Sequence, residues 1–215
     1  MNLKHLALEI KPAVLRTILI FTLILLAAAL RLAPHPWNFT PVGAIALFAG
    51  ATVRDRRLAF LFPLLVMFAT DLIVGFNKLS LLVYACFLLS VLIGRAVVGP
   101  RFSASQRAKR VPDPQRASLP QQQSTTPRKR ALPRIAAATF LGSLQFFLLT
   151  NFGVWAFLNS YPRNATGLVA CYIAGIPLFW NTLAGDTVYA TLLFGSFALA
   201  TRLAPRLRQS VMAGL

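Results

Sequence analysis

The sequence predicts an all-α membrane protein, a polytopic helical bundle with six transmembrane helices. The first observation is composition: 57% of the 215 residues are hydrophobic and only 13% are charged, with a mean hydropathy of +0.65, which lies outside the range of a soluble domain. The second is that apolar residues form blocks of about 20, the length that a helix needs to cross a bilayer. The third is the distribution of Lys and Arg among the loops, which fits one orientation in a membrane.

The first predicted helix covers about residues 13–33 and follows a short basic stretch. The small residues at 27–29 leave open a cleaved signal peptide. The length of the apolar run, and the apolar segments that follow it as far as the C-terminus, favour an uncleaved first helix.

The second predicted helix, at about residues 41–54, is short and rich in Gly and Ala. Thr40 is a good N-cap, and Pro41 suits the first helical position. Ala46 and Gly50 form a small-xxx-small pair, which allows another helix to approach closely. We therefore predict a helix-packing surface at these two residues.

The remaining segments follow from where the apolar runs stop. The four further helices are predicted at about 58–76, 79–98, 135–158 and 168–201. Residues 99–134 are rich in Pro, Gln, Ser and Arg and lack apolar periodicity, which is typical of a disordered linker. The predicted organisation is four transmembrane helices in 1–98, a basic cytoplasmic linker in 99–134, two transmembrane helices in 135–205 and a short tail in 206–215.

The basic residues predict the topology. With both termini in the cytoplasm, 19 of the 22 Lys and Arg lie on the cytoplasmic side, as the positive-inside rule requires. The predicted location is the inner (plasma) membrane. The formal net charge of +17 is then a topology signal and does not indicate a nucleic-acid partner. The linker is also suited to contact anionic lipid headgroups of the bilayer.

Polar side chains cluster toward the outer face in this topology, starting with the loop HPWNFTP at 35–41. Acids and amides at membrane depth are costly and are expected to face protein, water or a ligand. We predict a substrate-binding pocket that opens outward and is roofed by the 34–41 loop. Its candidate residues are His35, Trp37, Asn38, Asp71, Asn151, Trp155, Asn181 and Asp186. Two alternatives stay open: the tryptophans anchor the membrane interface, and the polar groups satisfy one another or a kink at Pro177.

Four stretches resemble a family of bacterial membrane proteins of unknown function, some of them described as putative transport proteins: NFTPVGAIALFAG, NFGVW, YP and GLVACYIAGIPLFWNTLAGDTVYATLLFG. The layout of residues 38–76 is also distantly similar to the S components of energy-coupling factor (ECF) transporters. It has a Pro-containing loop, an Ala/Gly helix, a charged turn and a helix ending near Asp. This resemblance implies six helices, a solute site near the outer face and a gating first loop. It also implies that Ala46 and Gly50 dock a transmembrane partner energised by ATPases.

The function predicted from these patterns is binding of a small polar solute for transport, by a subunit like an ECF S component. The sequence contains no phosphate-binding GxxxxGK[ST] loop, no HExxH, no GxSxG and no Cys/His cluster, so we expect neither an enzyme nor a cofactor or metal. One alternative is a non-transporting scaffold or assembly subunit whose linker recruits partners. Another is a proton-coupled carrier that uses Asp71 and Asp186.

Overall fold

The computed structural model describes residues 12–32, 36–99 and 127–213, and all regular structure within these ranges is helical. The predicted all-α class is therefore confirmed for this part of the chain. A π-helical turn, Gly94–Val98, continues the fourth helix. The helices are α1 (Pro12–Leu30), α2 (Val42–Thr52), α3 (Arg56–Val74), α4 (Ser80–Ile93), α5 (Pro127–Phe157) and α6 (Ala165–Ala213).

Two helices extend beyond their predicted ends. Helix α5 begins at Pro127, so residues 127–134 of the predicted linker are helical, while residues 100–126 lie outside the described part. Proline suits the first turn of a helix, and the Arg, Lys, Ala and Leu that follow are good helix formers. Helix α6 continues to Ala213, through most of the predicted tail at 206–215.

Three of the described helical stretches are long and apolar enough to cross a membrane: Ser80–Val98, Ala131–Phe157 and Ala165–Thr201. The apolar part of α1, Thr17–Leu30, and the whole of α2 are shorter. Length and composition therefore indicate a membrane protein.

Helix α2 is the centre of the bundle. All eleven of its residues are buried, and it packs against each of the other five helices. A helix that is apolar on every side is expected in such a position. Phe48 makes edge-on ring contacts with Phe194 and Phe197 of α6, at centroid distances of 5.2 and 5.7 Å.

Helices α2 and α4 touch backbone to backbone at two glycines. A Cβ atom on Gly50 would lie 2.1 Å from the carbonyl oxygen of Val91, and one on Gly94 would lie 2.2 Å from the carbonyl oxygen of Leu47. The predicted packing surface at Ala46 and Gly50 is thus enclosed within this chain, since both residues are buried. This small-residue surface serves an internal helix contact and is not open to a second protein.

We expect Gly50→Ala to lower the free energy of unfolding by about 1–3 kcal/mol, the usual cost of overpacking, because the new methyl group must separate α2 from α4. Gly195→Ala in α6 is the matched control, since a Cβ there meets nothing within 4 Å. Thermal unfolding in detergent measures both. Equal midpoints for the two variants would contradict the close contact.

Candidate functional site

The segment 36–41, which we call the α1–α2 segment, runs along one face of α6. The side-chain amide of Asn181 donates to the carbonyl oxygen of Trp37 at 3.1 Å. Gly185 admits the backbone of Phe39 and Thr40, since a Cβ on it would lie 3.2 Å from both. Tyr189 packs against the ring of Phe39, with centroids 5.8 Å apart. These three α6 residues are spaced by four and so share a face.

The α1–α2 segment leads the chain into the interior of the bundle. The N-terminus of α2 is therefore buried and does not lie at the surface. Pro41, its N-cap, makes no side-chain capping bond. The carboxyl group of Asp186 supplies the acceptor instead, since it takes a hydrogen bond from the backbone N–H of Ala44. Gly43 makes room for it, because a Cβ there would lie 2.3 Å from Asp186 Oδ1.

Asp186 joins three helices through this contact. The hydroxyl of Ser143 in α5 donates to Asp186 Oδ2 at 2.8 Å, and the carboxyl group is buried, with the residue 4% exposed. Free N–H groups and the positive end of the helix dipole make a helix N-terminus a favourable place for a carboxyl group. The carboxyl group is therefore hydrogen-bonded within the bundle, as a buried polar group requires.

Asp71 belongs to a separate cluster at the ends of α1, α3 and α4. Its Oδ1 forms an ion pair with Arg31 at 2.7 Å, and its Oδ2 accepts from the hydroxyl of Tyr84 at 2.8 Å. Arg31 also donates to the hydroxyl of Thr70. A paired and hydrogen-bonded charge tolerates burial that an unpaired one does not.

A groove of about 440 Å³ lies between α4, α5 and α6 at the end of the bundle that holds the 75–79 and 158–164 loops. We call this end the loop end. The volume falls within the range of small-molecule sites, about 300–1,000 Å³. The wall combines amides, hydroxyls and one lysine with phenylalanine and aliphatic side chains. It is formed by Asn38, Asn77, Lys78, Leu79, Val83, Phe146, Phe147, Thr150, Asn151, Val154, Leu158, Leu178, Phe179 and Thr182.

A second cavity of about 30 Å³, the inner cleft, shares three residues with the groove: Asn38, Phe146 and Thr182. Asp186, Ser90 and Thr40 are among its other lining residues. This volume is room for about one water molecule, and polar partners of this kind are what a buried water needs. The inner cleft thus leads from the groove to the N-terminus of α2.

The structure brings part of the predicted site together. Asn38 lines both cavities and adopts a left-handed backbone, with φ of 62°, a conformation that Asn tolerates better than most residues. Asn151 lines the groove, where its amide also donates to the carbonyl oxygen of Phe147 at 2.8 Å. Asp186 lines the inner cleft. His35 lies outside the described residues.

Other predicted site residues lie elsewhere. Asp71 lines neither cavity, because it is enclosed in its own cluster. Trp155 donates from its indole N–H to the carbonyl oxygen of Pro162 at 3.0 Å, and so fixes the 158–164 loop. Trp37 is 84% exposed, and its carbonyl group accepts the hydrogen bond from Asn181. Asn181 therefore holds the α1–α2 segment and does not line the groove.

Sequence reasoning missed several members of these clusters. Thr150 and Thr182 adjoin the predicted Asn151 and Asn181, so their positions beside amides in apolar helices were a usable signal. Lys78 lies in the loop between α3 and α4, outside the apolar helices in which a polar residue stands out. The pairing of Ser143 with Asp186 joins residues 43 apart in the chain, and no local pattern indicates it.

We expect Asp186→Ala to destabilise the protein by about 1–3 kcal/mol, the cost of leaving buried polar groups unsatisfied. Asp186→Asn should cost less, because the amide oxygen can still accept from Ala44 and Ser143 can donate to Thr139 O, which lies 3.1 Å away. The measurements are thermal unfolding and hydrogen exchange of the α2 amides. We expect stability to decrease in the order wild type, Asp186→Asn, Asp186→Ala. Unchanged exchange at Ala44 in the Ala variant would contradict the capping role.

We expect the Arg31–Asp71 pair to show strong coupling in a double-mutant cycle. Arg31→Met or Asp71→Leu alone should cost about 3–5 kcal/mol, because each leaves a buried charge without its partner. The double variant should cost less than the sum of the two. Arg163→Met, at an exposed arginine of the same end, is the control and should change the unfolding midpoint little. Additive effects of the two single substitutions would show that the pair is not coupled.

Comparison with known proteins gives the chain a family. No curated protein and no solved structure is significantly similar to this chain. Residues 11–207 match a family of unknown function, DUF6580. The match takes in α1 to α5, most of α6 and both cavities. The predicted resemblance to an uncharacterised family is thereby confirmed, and the chain belongs to the DUF6580 family.

Proposed function

We propose that this protein binds a small solute in the groove and serves as the solute-binding subunit of a membrane transport system. The observation that carries the proposal is the groove itself, about 440 Å³ of space with polar groups from α5, α6, the α1–α2 segment and the 75–79 loop. Polar side chains in an apolar bundle are costly unless they meet water or a partner. Their convergence on one open space is best explained by a ligand that uses them. We propose binding and not catalysis.

The α1–α2 segment is the proposed roof of this site. Asn38 lies at the wall between the groove and the inner cleft, and neighbouring residues of the segment are fastened to α6. A solute in the groove would contact Asn38 and thereby the segment that leads to the N-terminus of α2. Occupancy of the groove would then favour one position of that segment.

Six crossings remain the topology that we propose, in the inner membrane with both termini in the cytoplasm. Helix α2 covers about 16 Å at 1.5 Å per residue, and the α1–α2 segment would span the rest of that crossing. The asymmetry of Lys and Arg supports this orientation. The groove would then open to the outside.

A transport role also needs an energised partner, in line with the resemblance to ECF S components. We propose a transmembrane subunit associated with ATPases. Because Ala46 and Gly50 are buried in this chain, the docking surface for that subunit would lie on the outer faces of other helices.

We expect Val83→Trp to abolish solute binding, because an indole at this position of the groove wall fills the space that a ligand needs. Leu81→Trp on the same helix is the matched control, since Leu81 is 84% exposed and lies outside the groove. The measurement is a thermal-shift screen of small metabolites on the purified protein in detergent, followed by calorimetry of each hit. A hit that binds both variants equally would place the ligand elsewhere. A protein that binds no small solute would favour the scaffold alternative.

A further inference from the structure

We infer that the groove takes a soluble monoanion with an apolar body, such as an aryl carboxylate, with its charged group at Lys78. This inference rests on the proposed function and specifies its ligand class. The groove offers two kinds of group: an ammonium and an amide group from the 75–79 loop, at its mouth, and aromatic and aliphatic side chains along α4, α5 and α6. The first kind suits the charged group of such a ligand and the second its apolar body.

The negative charge of the ligand is inferred from Lys78, at the mouth of the groove. Lys78 is the one charged side chain that lines the groove in the described part of the chain. The three acids within residues 12–32, 36–99 and 127–213 are engaged elsewhere. Asp55 accepts from the N–H groups of Arg57 and Leu58, Asp71 pairs with Arg31, and Asp186 holds α2. An anion would therefore meet an uncompensated ammonium group, and a cation would meet repulsion.

Hydrogen-bond donors at the mouth add to this preference. The side-chain oxygen of Asn77 accepts from the backbone N–H of Leu79 at 2.8 Å, which turns its NH2 group to other acceptors. A carboxylate accepts only, so it suits a site that offers ammonium and amide N–H groups. Hydrogen bonds of this charged kind are shorter and stronger than neutral ones.

The apolar body of the ligand is inferred from the aromatic rings that line the groove. Phe147 and Phe179 form a tilted pair with centroids 5.2 Å apart, and Phe146 lies where the groove meets the inner cleft. Val83, Val154 and Leu178 complete an apolar surface. Rings of a ligand gain both burial and ring–ring contact at such a surface. A small inorganic anion would leave it unused.

The test uses three probes with one ring system: 2-naphthoate, 2-naphthamide and 2-naphthylmethylamine. Calorimetry on the purified full-length protein should show naphthoate binding at least about tenfold tighter than the amide, as a charge-assisted hydrogen bond allows, with the amine weakest. Lys78→Met should bring naphthoate to the affinity of the amide and leave the amide unchanged. Lys78→Arg and the exposed-loop control Arg163→Met should keep the preference.

The other outcomes separate this inference from the proposed function. If the amide or amine binds best and Val83→Trp blocks it, or if the naphthoate preference survives Lys78→Met, the anion inference is wrong and the solute site stands. If the metabolite screen yields a groove ligand but no naphthyl probe binds, the inference again fails alone. If neither the screen nor the probes yield a ligand, both the inference and the proposed function fail.

A lipid headgroup is tested separately. If phosphatidylglycerol nanodiscs stabilise the wild type but not Lys78→Met, and naphthoate does not bind, the occupant is a lipid headgroup and the soluble ligand is excluded.

Discussion

The contact between Asp186 and the first turn of α2 is the constraint on which the architecture depends. A helix that begins inside an apolar bundle is shielded from bulk water, so the N–H groups of its first turn need acceptors in the protein. Pro41 removes one donor from this turn because it has none, and the carboxyl group of Asp186 accepts from Ala44. Ser143 holds that carboxyl group from the other side. Without an acceptor at this depth, the α1–α2 segment would have to start its helix near the bundle surface.

The groove follows from this arrangement. Over the eleven residues in which α2 fills the centre of the bundle, Gly50 of α2 and Gly94 after α4 allow these two helices to make backbone contact. Toward the loop end the α1–α2 segment precedes α2, and this segment contacts Asn181, Gly185 and Tyr189 of α6. Space therefore remains between α4, α5 and α6 at the loop end. The close contact of α2 with α4 and the groove at the loop end thus both follow from the shortness of α2.

Helix positions were readable from the sequence, and the partners of polar groups were not. Apolar blocks gave the order of the helices, polar residues inside them singled out Asn151 and Asp186, and the polar 35–41 loop singled out Asn38. The start of α5 was missed because a basic, proline-containing stretch is typical of a linker, although its residues also favour helix. The pairing of Arg31 with Asp71 was missed for a different reason. It joins residues 40 apart, and periodicity describes only which face a residue occupies.

The distribution of charge at the loop end connects these parts. Arg31 and Asp71 form a pair, so their fields largely cancel at a distance. The carboxyl group of Asp186 faces the positive end of α2, which offsets it in the same way. Lys78 has no such counterpart among the described residues, and it stands at the groove. The two buried carboxyl groups thus maintain the fold, and Lys78, unlike Arg163 of the neighbouring loop, places its unbalanced charge at the groove, where a ligand can meet it.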